Sequence, residues 1–432
     1  GNSITDSGIV TVGGNLAATT DDNNGLINLG TLAVDGTVQL TTNGSGNATV
    51  VNDAGLTFAA STVGGNLAAT ATTGNMTDNG ALTIAGTTTL TTSANDATIA
   101  LDTTTNAFTG AVTITTNDSS GTDADVTIDA GTTALILAAS TIDGDLTVRN
   151  GNSITDSGIV TVGGNLAATT DDNNGLINLG TLAVDGTVQL TTNGNGAATV
   201  VNDAGLNFAA STVGGALSAT ATTGDISDSG DLTITGVTTF ITGASGSDIA
   251  LDSSGNVFSN AVTLQADAGN ETFGNITFVD SAAVKLHSSA SADGDLYINA
   301  NTDGAVGGNL SITATTGNIT QGVGLAITGT TTLTTSADNA TIALDTTTNA
   351  FTGAVTITTN DNSGTNANVT IDGGTTALIL AASTIDGDLT LTSGNDITDS
   401  STVTVGGNLV ATTDVDANNG AIIMDGLRVD GT

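Results

Sequence analysis

The phrase "GTTTLTT" at residues 86–92 recurs letter for letter at residues 329–335, and it decides the fold. A related phrase, "GTVQLTT", also occurs twice, at residues 36–42 and 186–192. In the first copy Leu90 is the one apolar residue among threonines, and such period-two alternation predicts a half-buried β-strand. The glycine in front of each phrase marks the turn that begins the strand. The chain therefore repeats a unit made of one turn and one strand.

Other short phrases alternate in the same way, which predicts strands along the whole chain. Val112 and Ile114 share one face of "GAVTITT", and Leu82 and Ile84 share one face of "ALTIAG". Clusters of Gly, Asn and Asp separate the phrases, and these residues favour tight turns. Helix is not expected, because Thr, Asn, Asp and Gly are poor helix formers and the strong formers are scarce.

The composition excludes several classes of protein. The chain has 432 residues, a net charge of −39, 2% aromatic residues and no Cys, Pro or Trp. Nucleic-acid binding needs clustered Lys and Arg, and this chain has three basic residues. The longest apolar run, residues 134–139, is far too short to span a bilayer. The lack of Cys fits an exported protein, so a secreted, extracellular or cell-surface location is expected.

Long internal repeats govern the organisation of the chain. Residues 1–44 recur at 151–194, and residues 66–147 recur with few changes at 309–390. A recurring Gly-Gly pair divides one continuous array into six modules: 13–63, 64–162, 163–213, 214–306, 307–405 and 406–432. The fourth module reads as a diverged extra copy, and the last is incomplete.

Two architectures fit these repeats. Strand phrases recur about every 20 to 24 residues, the length of one coil of a parallel β-helix, or β-solenoid, in which each strand pairs with its equivalent one coil away. The alternative is a tandem array of antiparallel β-sandwich modules of about 100 residues. Sandwich cores need large side chains, and module 64–162 holds Phe108 as its single aromatic residue. The sequence therefore favours an all-β parallel β-solenoid.

At the level of whole phrases, the chain resembles large repetitive bacterial exoproteins of the filamentous-haemagglutinin-like family. The resemblance rests on "LDTTTNAFTGAVTITT" (101–116 and 344–359) and on "GGNLAATATTGNMTDNGALTIAGTTTLTT" (64–92). It implies a long right-handed parallel β-helix that is secreted or held at the bacterial surface. It also implies a role in adhesion, biofilm or filament formation. The amino-terminal secretion domain of that family is not visible in this sequence.

One acidic turn near the end of the sequence is a candidate calcium site. In "DVDANNG" (414–420) the side chains of Asp414, Asp416 and Asn418 alternate before a glycine, as in loops that direct oxygen atoms at Ca²⁺. The glycine comes one place late for an EF-hand-like loop, and no Glu follows to close the site. Ca²⁺ is therefore an optional ligand here, and no cofactor is required.

A second, weaker calcium candidate lies in "TDADVTID", which contains Asp123, Asp125 and Asp129. In the later copy, Asn366 and Asn368 replace the first two carboxylates. Asp and Asn exchange freely where they form turns, because both accept the same backbone hydrogen bonds. The exchange therefore favours a role in turns over a metal site that depends on carboxylates.

The diverged module contains most of the rare side chains of the chain, and these form a candidate binding patch: Glu271, Lys285, His287 and Tyr297. In "AVKLHSS" Val284 and Leu286 should face inward, which places Lys285 and His287 on the outer face. Ordinary surface variation in one coil explains the same residues more simply. A single His without Cys cannot form a typical zinc site.

The sequence predicts a non-enzymatic structural component of an extracellular or cell-surface fibre. Polysaccharide-cleaving β-helices need clustered acids together with basic or aromatic sugar-binding groups, and this chain has one Tyr and no Trp. Two alternatives remain open. One is an adhesin segment that binds a surface glycan or protein through residues near 265–300. The other is an S-layer-like lattice protein that assembles with Ca²⁺.

The expected partners follow from the way the sequence interrupts its modules. The final "RVDGT" (428–432) matches "AVDGT" (33–37), which lies inside a module. Solenoids usually protect their ends with atypical capping repeats. The expected partners are therefore flanking repeats of the same chain, or further copies that stack head to tail into a filament.

Overall fold

The structure is a computed structural model. It describes the chain except residues 1, 22, 118–122, 267–273, 288–294, 299–304, 361, 363–365, 414–419 and 432, and it does not describe the side chains of residues 173, 287, 295–297 and 305. All regular structure in the described part is β-strand. The contacts divide the chain into two units, residues 1–204 with 212–216 and residues 205–211 with 217–432. Within each unit the strands form two long sheets, named sheet A and sheet B below.

In unit 1, sheet A contains β1 (Ile4–Thr5), β2 (Val10–Val12), β4 (Ile27–Val34), β6 (Ala48–Asn52), β9 (Leu67–Ala71), β12 (Thr88–Thr92), β15 (Val112–Thr115), β17 (Leu135–Leu137), β18 (Ser140–Ile142), β20 (Ile154–Asp156), β21 (Val160–Val162), β23 (Ile177–Val184) and β25 (Ala198–Asn202). Sheet B of this unit contains β3 (Leu16–Thr19), β5 (Thr37–Thr41), β7 (Leu56–Phe58), β8 (Ser61–Val63), β10 (Met76–Asp78), β11 (Leu82–Ile84), β13 (Ile99–Leu101), β14 (Ala107–Phe108), β16 (Val126–Asp129), β19 (Leu146–Asn150), β22 (Leu166–Asn173), β24 (Thr187–Asn193) and β27 (Ser211–Val213).

In unit 2, sheet A contains β28 (Leu217–Ala221), β31 (Thr238–Thr242), β34 (Val262–Gln265), β36 (Val284–His287), β37 (Asp295–Ile298), β40 (Ile319–Gln321), β43 (Ile342–Leu344), β46 (Val369–Asp372), β49 (Leu389–Ser393) and β52 (Leu409–Thr413). Sheet B of this unit contains β26 (Leu206–Phe208), β29 (Ile226–Asp228), β30 (Leu232–Ile234), β32 (Ile249–Leu251), β33 (Val257–Phe258), β35 (Ile276–Asp280), β39 (Leu310–Ala314), β42 (Thr331–Asp338), β45 (Val355–Asn360), β47 (Leu378–Leu380), β48 (Ser383–Ile385), β50 (Ile397–Asp399), β51 (Val403–Val405), β53 (Ile422–Ile423) and β54 (Leu427–Val429). A short third sheet contains β38 (Ala305–Val306), β41 (Ala326–Ile327) and β44 (Ala350–Phe351).

The strands pair in parallel with their equivalents one coil away, and the two units together contain about 18 turns. Coil length varies: the register partners Leu135 and Ile154 mark a short coil, and Ile99 and Val126 mark a longer one. Parallel pairing confirms the β-solenoid predicted from the sequence. The antiparallel sandwich alternative is wrong, because the described strand pairs are parallel.

In the phrase "GTTTLTT", threonine occupies both the buried and the exposed face of the strand. Thr88, Leu90 and Thr92 point inward and are at most 1% exposed, whereas Thr89 faces solvent. The Oγ1 of Thr92 donates a 3.0 Å hydrogen bond to the carbonyl oxygen of Ala97 across the following loop. A buried hydroxyl needs such a partner. The threonine that ends the strand therefore closes the turn from inside the coil.

The glycine before each phrase forms a corner where neighbouring coils touch through their backbones. The N–H of Gly86 donates a 2.9 Å hydrogen bond to the carbonyl oxygen of Gly65. A Cβ added to Gly110 would overlap the carbonyl oxygen of Gly86. Glycine is required at this corner because a backbone atom of the adjacent coil occupies the space of a side chain.

Each module spans a whole number of coils plus half a coil. The first strands of successive modules therefore alternate between the two sheets. In unit 1, the first strand after each Gly-Gly pair begins at Leu16 in sheet B, Leu67 in sheet A and Leu166 in sheet B. In unit 2 the corresponding strands begin at Leu217 in sheet A, Leu310 in sheet B and Leu409 in sheet A. Within each unit, the two sheets therefore carry the same phrases in turn.

Candidate functional site

Asn and Asp side chains form a ladder along one corner of the coils, and this corner ladder fixes their role. The Oδ1 of Asp125 accepts a 2.8 Å hydrogen bond from the backbone N–H of Asp145 in the next coil. In the later copy, the Oδ1 of Asn368 accepts the equivalent 2.8 Å bond from the N–H of Asp388. An amide and a carboxylate oxygen are equally able to accept this bond. The exchange of Asp and Asn between copies therefore follows from the ladder.

The structure places the second calcium candidate within this turn chemistry. The Oδ1 of Asp129, a residue 7% exposed, accepts a 2.8 Å hydrogen bond from the N–H of Gly131. The Oδ1 of Asp125 belongs to the corner ladder, and Asp123 is exposed. Among the described residues no three His, Cys, Asp or Glu side chains are grouped so as to hold a metal ion. Calcium binding at these residues stays a prediction.

The first calcium candidate, Asp414, Asp416 and Asn418, lies outside the described residues. The adjoining strand β52 ends at Thr413, whose Oγ1 donates a 3.1 Å hydrogen bond to the carbonyl oxygen of Gly420. The described ends of this loop are thus joined in the way that closes the other turns. The calcium prediction for the three residues between them is unchanged.

A buried asparagine links neighbouring coils at one place in each long module. Asn106, Asn256 and Asn349 are at most 1% exposed. The Oδ1 of Asn256 accepts a 2.8 Å bond from the N–H of Leu232, and its Nδ2 donates a 2.7 Å bond to the Oδ2 of Asp228. The sequence contains a signal for this site that alternation alone misses. The residues around it vary between "TTTNAF" and "SSGNVF", but the Asn is kept in every copy.

The partner of this asparagine is acidic in two copies and neutral in the third. Asn106 donates to Asp78 at 2.7 Å, whereas Asn349 exchanges hydrogen bonds of 2.8 and 2.9 Å with Gln321. Burial raises the pKa of Asp78 and Asp228, and the hydrogen bonds from Asn106 and Asn256 offset this only in part. These carboxylates therefore carry their charge at a cost that Gln321 avoids.

In the diverged module one strand takes a position that no strand takes in the other described coils. Strand β37 lies in sheet A between β34 and β36, with Val262 opposite Leu296 and Leu286 opposite Leu296. On sheet B, β35 pairs directly with β39, so Ile276 lies opposite Leu310. Strand β37 is called the intercalated strand below. It makes this coil the longest among those described.

The intercalated strand brings part of the candidate binding patch together. Its register places Lys285 opposite Asp295 and His287 opposite Tyr297 on neighbouring strands. The side chain of Lys285 is half-buried, and Val284 is buried as predicted. The side chains of His287 and Tyr297 and the whole of Glu271 lie outside the described part. The sequence did not indicate Asp295 as a member of the patch.

A surface ion pair accounts for one of the three basic residues. The Nε of Arg149 lies 2.7 Å from the Oδ2 of Asp171, and both side chains are exposed. Asp171 raises the pKa of Arg149 through this hydrogen bond and through its charge. An exposed pair of this kind contributes little to stability, and no further function follows from it.

These features define a repetitive parallel β-solenoid whose coils are joined by ladders of Gly, Asn and Asp. The chain belongs to a family of repeats of unknown function, DUF5649, whose model matches residues 45–115, 123–172, 195–265, 273–358 and 366–427. Neither a curated protein nor a solved structure matches it. In the described part of the chain, no helix has the length and apolar character needed to cross a membrane.

Proposed function

We propose that this chain is a non-enzymatic structural component of an extracellular or cell-surface fibre, and that the stacking of its coils is its function. The observation that carries the proposal is the parallel pairing of strands with their equivalents one coil away, which recurs along the described residues of both units. Strand β12, for example, pairs with β9 on one side and β15 on the other, in register along its length. Buried apolar rows recur from coil to coil, and corner ladders join successive coils over several turns.

The charge and the resemblance support an external, extended role. A net charge of −39 keeps separate fibres apart at low salt and is screened in brine or by divalent cations. The phrases resemble those of filamentous-haemagglutinin-like exoproteins, which are surface or secreted proteins. The self-association partner in this proposal is another repeat array, either in the same long chain or in a second copy.

Deletion of whole coils tests the structural proposal. Removal of residues 88–111 takes out one coil, because Thr88 pairs with Val112. The remaining coils should then close, and the thermal stability and β-sheet circular dichroism per residue should stay near those of the parent. Removal of residues 88–99 takes out half of this coil and should disrupt the neighbouring strands. Equal damage from both deletions would contradict a function that depends on stacking alone.

Electron microscopy of the purified chain, with and without EDTA, tests the assembly proposal. Uniform unbranched fibres that survive EDTA are expected if strand stacking holds the assembly together. Fibres or sheets that dissolve in EDTA would instead support the calcium-dependent lattice. Single particles under every condition would contradict self-assembly of this chain.

An adhesin segment is the second candidate function, and one observation favours it. The intercalated strand brings Lys285 and His287 next to Asp295 and Tyr297 by register, in a chain with three basic residues and one Tyr. Glycan-array and cell-binding assays should compare the parent with a chain that lacks residues 288–299. Binding that is lost in the deletion, with folding retained, would place a glycan or protein target at this coil.

A further inference from the structure

In the copies of its module, the sequence of the intercalated strand pairs with a different strand. Its phrase "DGDL" at 293–296 also occurs at 143–146 and 386–389. In those two copies the leucine pairs with the strand one coil earlier, Leu146 with Val126 and Leu389 with Val369. The equivalent pairing for Leu296 would be with Ile276 in sheet B. Instead, Leu296 lies opposite Val262 in sheet A.

The length of the chain after the strand explains this displacement. In the sister coil, the chain from Leu146 to its register partner Leu166 makes one full turn. The chain from Leu296 to Leu310 is shorter than that turn, and shorter even than the short coil from Leu135 to Ile154. A strand in sheet B at Leu296 would leave too little chain to reach sheet B again at Leu310.

The missing residues are those that form strands in sheet A of the sister coil. In unit 1 the phrase "SITDSGIV" at 153–160 contributes β20 and the start of β21, which are strands of sheet A. Between Ile298 and Val306 the phrase is shortened to "TDGAV", whose strand β38 stands at the position of β21, and no counterpart of the Ile154 strand is present in the sequence. The diverged module therefore lacks a counterpart of β20: β36 pairs directly with β40, as β20 pairs with β23, and the intercalated strand lies on the other side of β36, next to β34.

Both positions satisfy the alternation of the strand, so alternation does not choose between them. In sheet A, Ile298 lies opposite Leu264 and is 0% exposed. In the sister coil the equivalent Val148 is 0% exposed in sheet B. A strand whose inward residues fit two sheets equally has its pairing decided by its connections.

We propose that the intercalated strand has two alternative positions, and that the length of the segment joining it to β39 selects the sheet in which it lies. The short native segment holds it in sheet A between β34 and β36. A segment six residues longer would return it to sheet B, next to β35, and would let β34 pair directly with β36. The sister strands already do so, since Val112 pairs with Leu137 and Val355 with Leu380.

Disulfide trapping tests the proposal cleanly, because the chain contains no Cys. The pair T263C/Y297C reports the position in sheet A, since Thr263 and Tyr297 are register partners. The pair T277C/Y297C reports the position in sheet B, by analogy with Thr127 and Thr147. The register partners Thr239 and Thr263 supply a positive control, and T239C/Y297C a negative one.

Each pair is introduced into the full native chain and into a chain whose residues 299–304 are replaced by residues 149–160. In the native chain, oxidation should link 263 to 297 nearly completely and 277 to 297 no more than the negative control. In the lengthened chain the two yields should be reversed. The proposal is overturned if the lengthened chain still links 263 to 297.

A second variant guards against misfolding of the graft. It keeps the native residues and inserts Gly-Ser-Gly-Ser-Gly-Ser after Asn301. The same reversal is expected, because length and not sequence selects the position. If this variant folds and keeps the 263–297 link, length does not select the sheet and the proposal fails. Loss of ligand binding in either variant would bear on the adhesin function alone, since the disulfide yields report the strand's position independently.

Discussion

Two stretches of related sequence, residues 99–146 in unit 1 and residues 249–310 in unit 2, form coils that differ in strand pairing and length. The first stretch closes with the corner glycine Gly110, and β15 pairs directly with β17. In the second, Asn260 stands at the position of that glycine and the intercalated strand separates β34 from β36. The comparison teaches that the corner glycine and the coil length act together to keep neighbouring coils in contact.

The core in and before the second stretch contains more aromatic side chains than the core of the regular copy. Phe208, Phe240, Phe258 and Phe278 form a continuous stack, with ring centroids separated by 5.9, 6.2 and 5.1 Å. In the regular copy, Leu90 stands at the position of Phe240. Large aromatic side chains bury more area and contact more neighbours than Leu. The irregular coil therefore adjoins a core with larger side chains.

The sharpest way to break the comparison is to give the regular coil the corner of the diverged one. Gly110→Asn should destabilise the surrounding coils by about 2–3 kcal/mol, because the new Cβ would meet the carbonyl oxygen of Gly86. Amide hydrogen exchange of β12 and β15 measures this locally, which suits an array that need not unfold in one step. Gly180→Ala is the control, since nothing lies within 4 Å of its Cβ position. Comparable losses of protection in both variants would refute the corner argument.

Phe240→Leu tests whether the aromatic stack supports the diverged coil. The change restores the residue of the regular copy and should cost about 1–2 kcal/mol, because Phe240 contacts Phe208 and Phe258. Thermal unfolding and hydrogen exchange of β31 and β34 provide the measurement. Leu264→Met, a volume-conserving change in the same unit, should cost less than about 1 kcal/mol. If the aromatic stack contributes nothing to stability, Phe240→Leu should cost no more than Leu264→Met.

The buried asparagine allows a comparison based on pH. Burial raises the pKa of Asp228, so its favourable contribution is present at low pH and is lost as the pH rises through the folded-state pKa. Asp228→Gln copies Gln321 and should add about 1 kcal/mol at pH 7, with a smaller gain in stability on acidification than the parent shows. Denaturant unfolding of the full chain at neutral and acidic pH measures both effects.

The reciprocal change supplies the control for this pH experiment. Gln321→Asp should lower stability at pH 7 and introduce a gain on acidification that the parent lacks at this coil, because it places a carboxylate beside the buried Asn349. Parallel pH profiles for the parent and both variants would show that these carboxylates do not govern the acid response.

The smallest expected effect concerns a hydroxyl inside the regular coil. The Oγ1 of Thr88 is buried and has no hydrogen-bond partner among the described residues. Thr88→Val should therefore stabilise β12 by about 0.5–1 kcal/mol. Thr92→Val is the matched control and should destabilise by about 1 kcal/mol, because it removes the bond to Ala97. Hydrogen exchange of β12 shows whether each change raises or lowers its stability. Destabilisation by both changes would contradict the prediction for Thr88.

Alternation predicted which side chains face inward in the regular coils. Val112, Ile114, Leu82 and Ile84 are 0% exposed, as the period-two pattern indicated. The pattern also predicted parallel stacking, since small inward residues repeated at coil length suit a narrow interior. The same period places Thr88 on the inward face with Leu90, but it could not reveal that the Oγ1 of Thr88 has no hydrogen-bond partner among the described residues.

The displaced strand and the buried asparagine could not be predicted from alternation, because neither depends on local pattern. The position of β37 depends on the number of residues before Leu310, and chain length has no signature in the strand itself. The patch around Lys285 was anticipated from residue rarity, but its partner Asp295 follows from register alone. The calcium predictions remain to be measured.

The half-integer modules also limit how such a gene can lengthen. Residues 1–44 and 151–194 are identical, and seven steps between paired strands of sheet A, from β1 to β20, bring the second copy back to the same sheet. Unequal recombination that adds a short and a long module together inserts whole turns and leaves later side chains on their original faces. Recombination that adds one module alone exchanges the faces of everything downstream. Among duplications of whole modules, a pair is thus the smallest that preserves a face-specific surface.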